Sequence, residues 1–148
     1  MSHFSPVALP HANRLINHGP TVLVTSVFQG RRNVMAAAWS MPVEFTPPRV
    51  AVVIDKTTYT RALVEAAGGF ALCLPGVALA DLTFTVGQCS GRDLDKFVSL
   101  GIDARPGPVL GMPLIEQDCI AWLECRRIPE PHTEQAYDTC FAEVVAAA

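Results

Sequence analysis

No cluster of Lys and Arg occurs anywhere in this chain, and the formal net charge is −3. A nucleic-acid partner would lack the basic footprint it needs. No apolar run is long enough to span a bilayer. The start, Met1-Ser-His-Phe-Ser-Pro6, has neither a basic cluster nor a long apolar region, so no signal peptide is expected. The five cysteines (Cys73, Cys89, Cys119, Cys125 and Cys140) are odd in number and form no Cys-x-x-Cys pair. That argues against a disulfide framework and a structural zinc site, and for a reducing cytoplasm in which these are buried, inert thiols.

The common catalytic and nucleotide signatures are missing too: no Gly-x-Gly-x-x-Gly, Walker loop, Gly-x-Ser-x-Gly or His-Glu-x-x-His. His3, His11, His18 and His132 are scattered over expected loops and termini. A reaction needing a strong base or nucleophile finds poor candidates here. A reaction whose hard chemistry belongs to a bound cofactor needs none.

What is present is apolar. Half of the 148 residues are hydrophobic and 17% are charged, which leaves apolar surface to hide in a domain of this size. A homodimer or larger assembly is the expectation. No repeat, linker or charge block divides the chain, so residues 1–148 read as a single domain.

Residues 1–10 read as an extended arm and His11–Asn17 as a short helix stopped by Gly19-Pro20, with His18 in the break. Thr21–Phe28 is a β-branched strand. After the turn Gln29-Gly30-Arg31-Arg32 a second arm runs from about Asn33 to Phe45, forming a hairpin. Pro42 and Pro47-Pro48 imply a bend or a sheet edge there. Arg49–Ile54 reads as a buried strand. Tyr59, Ala62, Leu63 and Ala66 mark one face of a helix, capped by Thr57 or Thr58 and stopped by Gly68-Gly69. Phe70–Leu74 is a strand, Val77–Val86 a helix, and Leu94–Leu100 a shorter helix. Gly101–Pro113 is a loop, Cys119–Ile128 a strand, and Phe141–Ala148 starts another. The chain stops within that apolar run, so a further C-terminal segment is expected. Several strands with short helices inserted predict a mainly β barrel, closed or partly closed and decorated by helices.

Three segments carry candidate chemistry. In Asn33-Val-Met-Ala-Ala-Ala-Trp39 the small side chains would let something flat approach the backbone; a tightly packed sheet face explains them equally. Asp55-Lys-Thr-Thr-Tyr-Thr60 sets a cation and hydroxyls at a helix N-terminus, a plausible phosphate seat or simply a capped helix with a solvated lysine. Cys89-Ser-Gly-Arg-Asp-Leu-Asp-Lys-Phe97 offers hydroxyl and amide donors with a lysine to an anion, or is a capped helix with exposed mixed charges.

Together these stretches resemble the flavin reductase-like family, with the flavoredoxin subgroup nearest. The resemblance runs through Gly19-Pro20, Val22–Ser26, Gly30, Asn33-x-Met35 to Trp39-Ser40, Pro47-Pro48 and Tyr59-Thr60. It continues through Ser90-Gly91, Asp95-Lys96-Phe97 and Leu123-Glu124-Cys125. It implies an FMN-binding split β-barrel of Greek-key type that dimerises with flavin near the subunit interface. Asn33, Met35, Ala36, Ala37 and Trp39 would line the flavin ring and ribityl chain. Lys56, Thr57 and Thr58 would lie close to the cofactor, and Ser90 and Lys96 would reach its phosphate end. Ala36 stands where the family more often carries Thr or Ser, which removes a hydroxyl from those contacts. Trp39 would pack along the ring or the dimer seam, or serve as a core tryptophan.

The activity implied is reduction of FMN, or FAD, by NADH or NADPH, with electrons passed to an acceptor or a monooxygenase partner. A second reading is an electron carrier reduced by a protein partner. A third is a non-catalytic module holding flavin or haem, for which His18 or His132 would be the residues to inspect.

Overall fold

The computed structural model describes Ala8 and residues 19–148. The arm and helix expected before Gly19, with His18, lie outside the described residues. Nine strands, four α-helices and one short 3-10 turn follow one another among the described residues. The strands are β1 (Val22–Phe28), β2 (Arg31–Ala37), β3 (Ser40–Phe45), β4 (Pro48–Val53), β5 (Gly69–Pro75), β6 (Arg105–Pro106), β7 (Pro113–Leu114), β8 (Cys119–Ile128) and β9 (Thr139–Ala147). The helices are α1 (Tyr59–Ala67), α2 (Ala80–Gln88), α3 (Lys96–Ser99) and α4 (Pro131–Ala136).

β1 and β2 form the expected hairpin, paired from Phe28↔Arg31 to Val22↔Ala37. The turn is only Gln29–Gly30, both at positive φ (48° and 75°), the two-residue geometry that matches strand twist. The second arm is not one strand, however. It breaks at Ala38–Trp39 into β2 and β3, which lie at opposite ends of the sheet order β2-β1-β5-β8-β9-β4-β3. Two connecting residues span at most about 11 Å. The sheet must therefore curl until its two edges meet at that end. No ladder joins β2 to β3 among the described residues, so the result is a barrel split along one seam. Every pairing in it is antiparallel.

Both faces of the central strands are buried, which accounts for the near-continuous apolar runs. Val22, Val24, Val52, Phe70, Leu72 and Cys140 fill the barrel interior, with Val64 of α1. Leu23, Val34, Ala71, Cys73 and Trp122 face outward beneath Val86 of α2, Phe97 of α3 and the 102–115 segment. That segment is fastened by Glu124, fully buried on β8, whose carboxylate accepts the Val109, Leu110 and Met112 amides at 2.8–3.0 Å. β6 and β7 pair within it, a small ladder inside what sequence reads as loop.

α1 is capped as expected: the Thr58 hydroxyl accepts from the Arg61 amide, and Gly68 takes the left-handed conformation at φ 70°. Its buried face differs. Thr60, Arg61, Leu63 and Val64 are buried, whereas Ala62 and Ala66 are exposed. The displacement follows from Arg61, whose guanidinium donates to the Ile54 and Asp138 carbonyls at 3.2 and 3.1 Å and to Glu65 at 2.7 Å. A charge satisfied on several sides can be buried.

Candidate functional site

β2 is an edge strand, so one side of its backbone has no neighbouring strand. Lys96 Nζ donates to the Val34 carbonyl at 2.9 Å, which identifies the side on which Val34 presents its backbone groups as the free edge. In an antiparallel ladder the groups alternate, so Ala36 presents its N–H and C=O at that same edge. Its methyl side chain leaves them open to a ligand.

A cavity of about 440 Å³ lies here. Its walls are Asn33, Met35 and Ala36 of β2, Thr57–Thr60 at the start of α1, the end of α2 from Val86 to Gln88, the loop Cys89–Arg92, and Lys96. Seven of the ten residues singled out by sequence therefore meet at one place: Asn33, Met35, Ala36, Thr57, Thr58, Ser90 and Lys96. Three do not line it. Ala37 is buried in the barrel core. Trp39 sits half-exposed (47%) on the β2–β3 connector. Lys56 turns toward Asp138, 3.7 Å away, and donates to the Gln135 carbonyl.

Two buried groups give the cavity its character. Lys96 is 3% exposed, and its ammonium donates to the Val34 and Val86 carbonyls at 2.9 and 2.7 Å. Among the described residues it has no ion-pair partner, and its third N–H has no acceptor. Burial holds its pKa below the ordinary lysine value, with the nearby Cys89 thiol acting in the opposite sense. Asn33, also 3% exposed, donates to the Thr60 hydroxyl at 2.9 Å, while its Oδ1 has no hydrogen-bond partner.

The surrounding backbone is donor-rich. Asp55 Oδ1 accepts from the Thr57 amide and hydroxyl, which sets the turn into α1 and holds the Asp55 carboxyl below its usual range. The Tyr59 and Thr60 amides, first in α1, make no hydrogen bond among the described residues. Gly91 closes over Asn33: a Cβ there would lie 2.2 Å from Asn33 Oδ1, so only glycine allows the loop this close.

Tyr59 and Thr60 fall within the Asp55–Thr60 segment, and Cys89, Gly91 and Arg92 within the Cys89–Phe97 segment, although none of them is singled out by sequence as a binding residue. The wall element outside all three segments is the end of α2: the sequence suggests a helix ending at Val86, whereas α2 runs on through Gly87 and Gln88 into the wall. His132 is exposed on α4 and does not line this cavity, so haem ligation there has no support from it.

A buried cation without a counter-ion among the described residues, free helix amides and an open strand edge suit a ligand with an anionic end and a planar hydrogen-bonding body. FMN has both, and the residues present fit it.

The family described as flavin reductase like domain matches residues 14–148. The Escherichia coli (strain K12) protein YddH is 57% identical over 150 residues, spanning 100% of this chain and 79% of YddH. An FMN-binding domain of a flavin reductases-like enzyme from Shewanella baltica OS155 superimposes with a TM-score of 0.82 at 43% identity, covering 97% of this chain and 75% of that one. The flavoredoxin of Desulfovibrio vulgaris (Miyazaki F) gives 0.79 at 29% identity, covering 88% and 69%. On these matches, the chain belongs to the flavin reductase-like family.

Proposed function

We propose that the chain is a flavin-dependent oxidoreductase: it binds FMN in the Lys96 cavity, NADH or NADPH reduces it, and electrons pass to an acceptor or a partner oxygenase. The carrying observation is the buried Lys96 ammonium, whose third donor is unused and whose charge no carboxylate offsets among the described residues. A phosphate supplies both the missing acceptor and the missing charge.

When bound, FMN supplies a reversible electron acceptor that ordinary side chains do not. The chain's residues bind and orient. Lys96, the Tyr59 and Thr60 amides and the Ser90 hydroxyl would hold the phosphate end, while the Thr57 and Thr58 hydroxyls, which donate to Asp55, fix the turn that presents those amides. Met35 and the Ala36 backbone support the planar body along the β2 edge. Asn33 Oδ1 takes a donor from the ligand or from a water that bridges to it. No acid–base pair is needed, because hydride transfer depends on stacking geometry and the exclusion of water.

The same reading makes the protein a cytoplasmic homodimer. β3 is an edge strand carrying exposed Met41, Val43 and Phe45, with Trp39 just before it. Such an edge calls for cover. The likeness to a flavoredoxin favours a second reading, an electron carrier served by a protein partner.

An anaerobic titration of the FMN-saturated protein with NADH and then NADPH, followed by visible flavin absorbance, separates these. Rapid bleaching with one nucleotide establishes a reductase and its donor. FMN that is held yet stays oxidised supports the carrier. Failure to hold FMN overturns both.

A further inference from the structure

The Lys96 cavity is the middle member of a row. On one side it adjoins an apolar cavity of about 630 Å³, with Ala36, Gly87 and Gln88 in both walls. On the other it adjoins a cavity of about 330 Å³, with Tyr59, Gly91 and Arg92 in both. The third has its own chemistry: Arg31, Arg32 and Arg92 stand against Asp93 and Asp95. Asp95 is already committed, capping α3 through the Phe97 and Val98 amides and accepting from Arg32 Nε at 3.3 Å. Arg92 is held in place by donating to the Thr57 carbonyl at 2.7 Å, its guanidinium 5.9 Å from the centre of the Tyr59 ring. Arg31 makes no side-chain hydrogen bond or ion pair among the described residues. Two guanidinium groups with spare donors and an aromatic face therefore lie at the end of the row remote from the apolar cavity.

We propose that this third cavity is an adenylate-phosphate subsite. Arg92, on the border, takes a second phosphate beside the one at Lys96, and Tyr59 and Arg31 flank the nucleoside by stacking and charge. The inference rests on the flavin reading of the Lys96 cavity. Two dinucleotides carry the group: FAD lying along the whole row, or a nicotinamide nucleotide arriving at the FMN-loaded protein.

The test measures FMN and FAD affinity by flavin fluorescence, and ADP affinity on the FMN-saturated protein, in the wild type, Arg31→Ala and Arg92→Ala. Arg31 does not line the Lys96 cavity and is exposed, so its substitution leaves FMN affinity and folding unchanged. A preference of FAD over FMN of roughly tenfold, lost in Arg31→Ala, supports the subsite with FAD as the source. Equal FMN and FAD affinities, with ADP binding that either substitution weakens roughly tenfold, support it with the nicotinamide nucleotide as the source. The proposal is overturned if neither appears, or if any FAD preference or ADP binding survives both substitutions. FMN that fails to bind the wild type overturns the flavin reading itself, whereas normal FMN binding with no adenylate effect overturns only this subsite.

Discussion

Lys96 has two consequences at the scale of one residue. Lys96→Ala removes a charged donor, and FMN binding should weaken by about 1–3 kcal/mol as read by calorimetry. Unchanged affinity in a folded variant would take Lys96 out of the site. The second consequence is a pH dependence. Burial depresses the Lys96 pKa below 10.5, so the folded, ligand-free chain sheds this proton before the unfolded chain does. Lys96 thus makes stability rise with pH between its folded pKa and 10.5. Binding of an anion has the opposite sign, and FMN affinity should fall as pH rises through that pKa. The thiols give a third residue-scale result. Burial pushes Cys73 and Cys125 up to about 12 and Cys140 to about 11. At neutral pH iodoacetamide should spare all three in the folded protein, while Cys89, in the cavity wall, is alkylated and FMN slows its labelling. Labelling of Cys73 at a rate matching Cys89 would contradict the burial described.

Among the elements, those with an internal pattern were legible. β8 has the bounds read from its alternation, Cys119–Ile128, and α1 ends at the glycine that the sequence nominates. The break at Ala38–Trp39 was not legible, because an apolar pair between apolar strands looks like continued strand. α4 was missed because Pro131–Ala136 has no apolar periodicity; Glu134, paired with Arg127 and near Arg61, holds it instead. Helical spacing misplaced the α1 face because Arg61, a charge, counts as solvent-facing until its partners are known. The candidate site was legible as segments but not as a wall. Ala37 and Lys56 belong to the right stretches, yet pleat and turn carry them elsewhere. One element-scale prediction concerns Glu124. Glu124→Gln exchanges an acceptor oxygen for an amide that must face N–H donors, and should cost about 1–3 kcal/mol in urea denaturation. Hydrogen exchange at Val109, Leu110 and Met112 should accelerate with it. A loss of stability without faster exchange there would mean that Glu124 does not organise the loop.

For the whole molecule, the exposed apolar edge of β3 sets the expectation about assembly. Phe45 is 94% exposed, so replacing it disturbs little of the fold. Phe45→Glu should leave the thermal transition in place and shift a dimeric wild type to monomer in sedimentation; an unaltered dimer would place the contact elsewhere. None of the described helices is long and apolar enough to cross a membrane.

The position of β9 has a consequence for the order of events on the ribosome. It is the last of the described strands in sequence but fifth in the sheet, pairing β8 on one side and β4 on the other through Arg49↔Glu143 and its neighbours. Until residues beyond Thr139 have left the exit tunnel, β2-β1-β5-β8 and the β3–β4 hairpin have nothing to join them. A nascent chain that has already made its Asn33, α1 and Lys96 segments must wait, with β4 and β8 edges unpaired, for a strand some 90 residues downstream of its partner. Synthesis arrested before β9 should leave the β3–β4 hairpin open to protease while β1, β2 and β5 resist it.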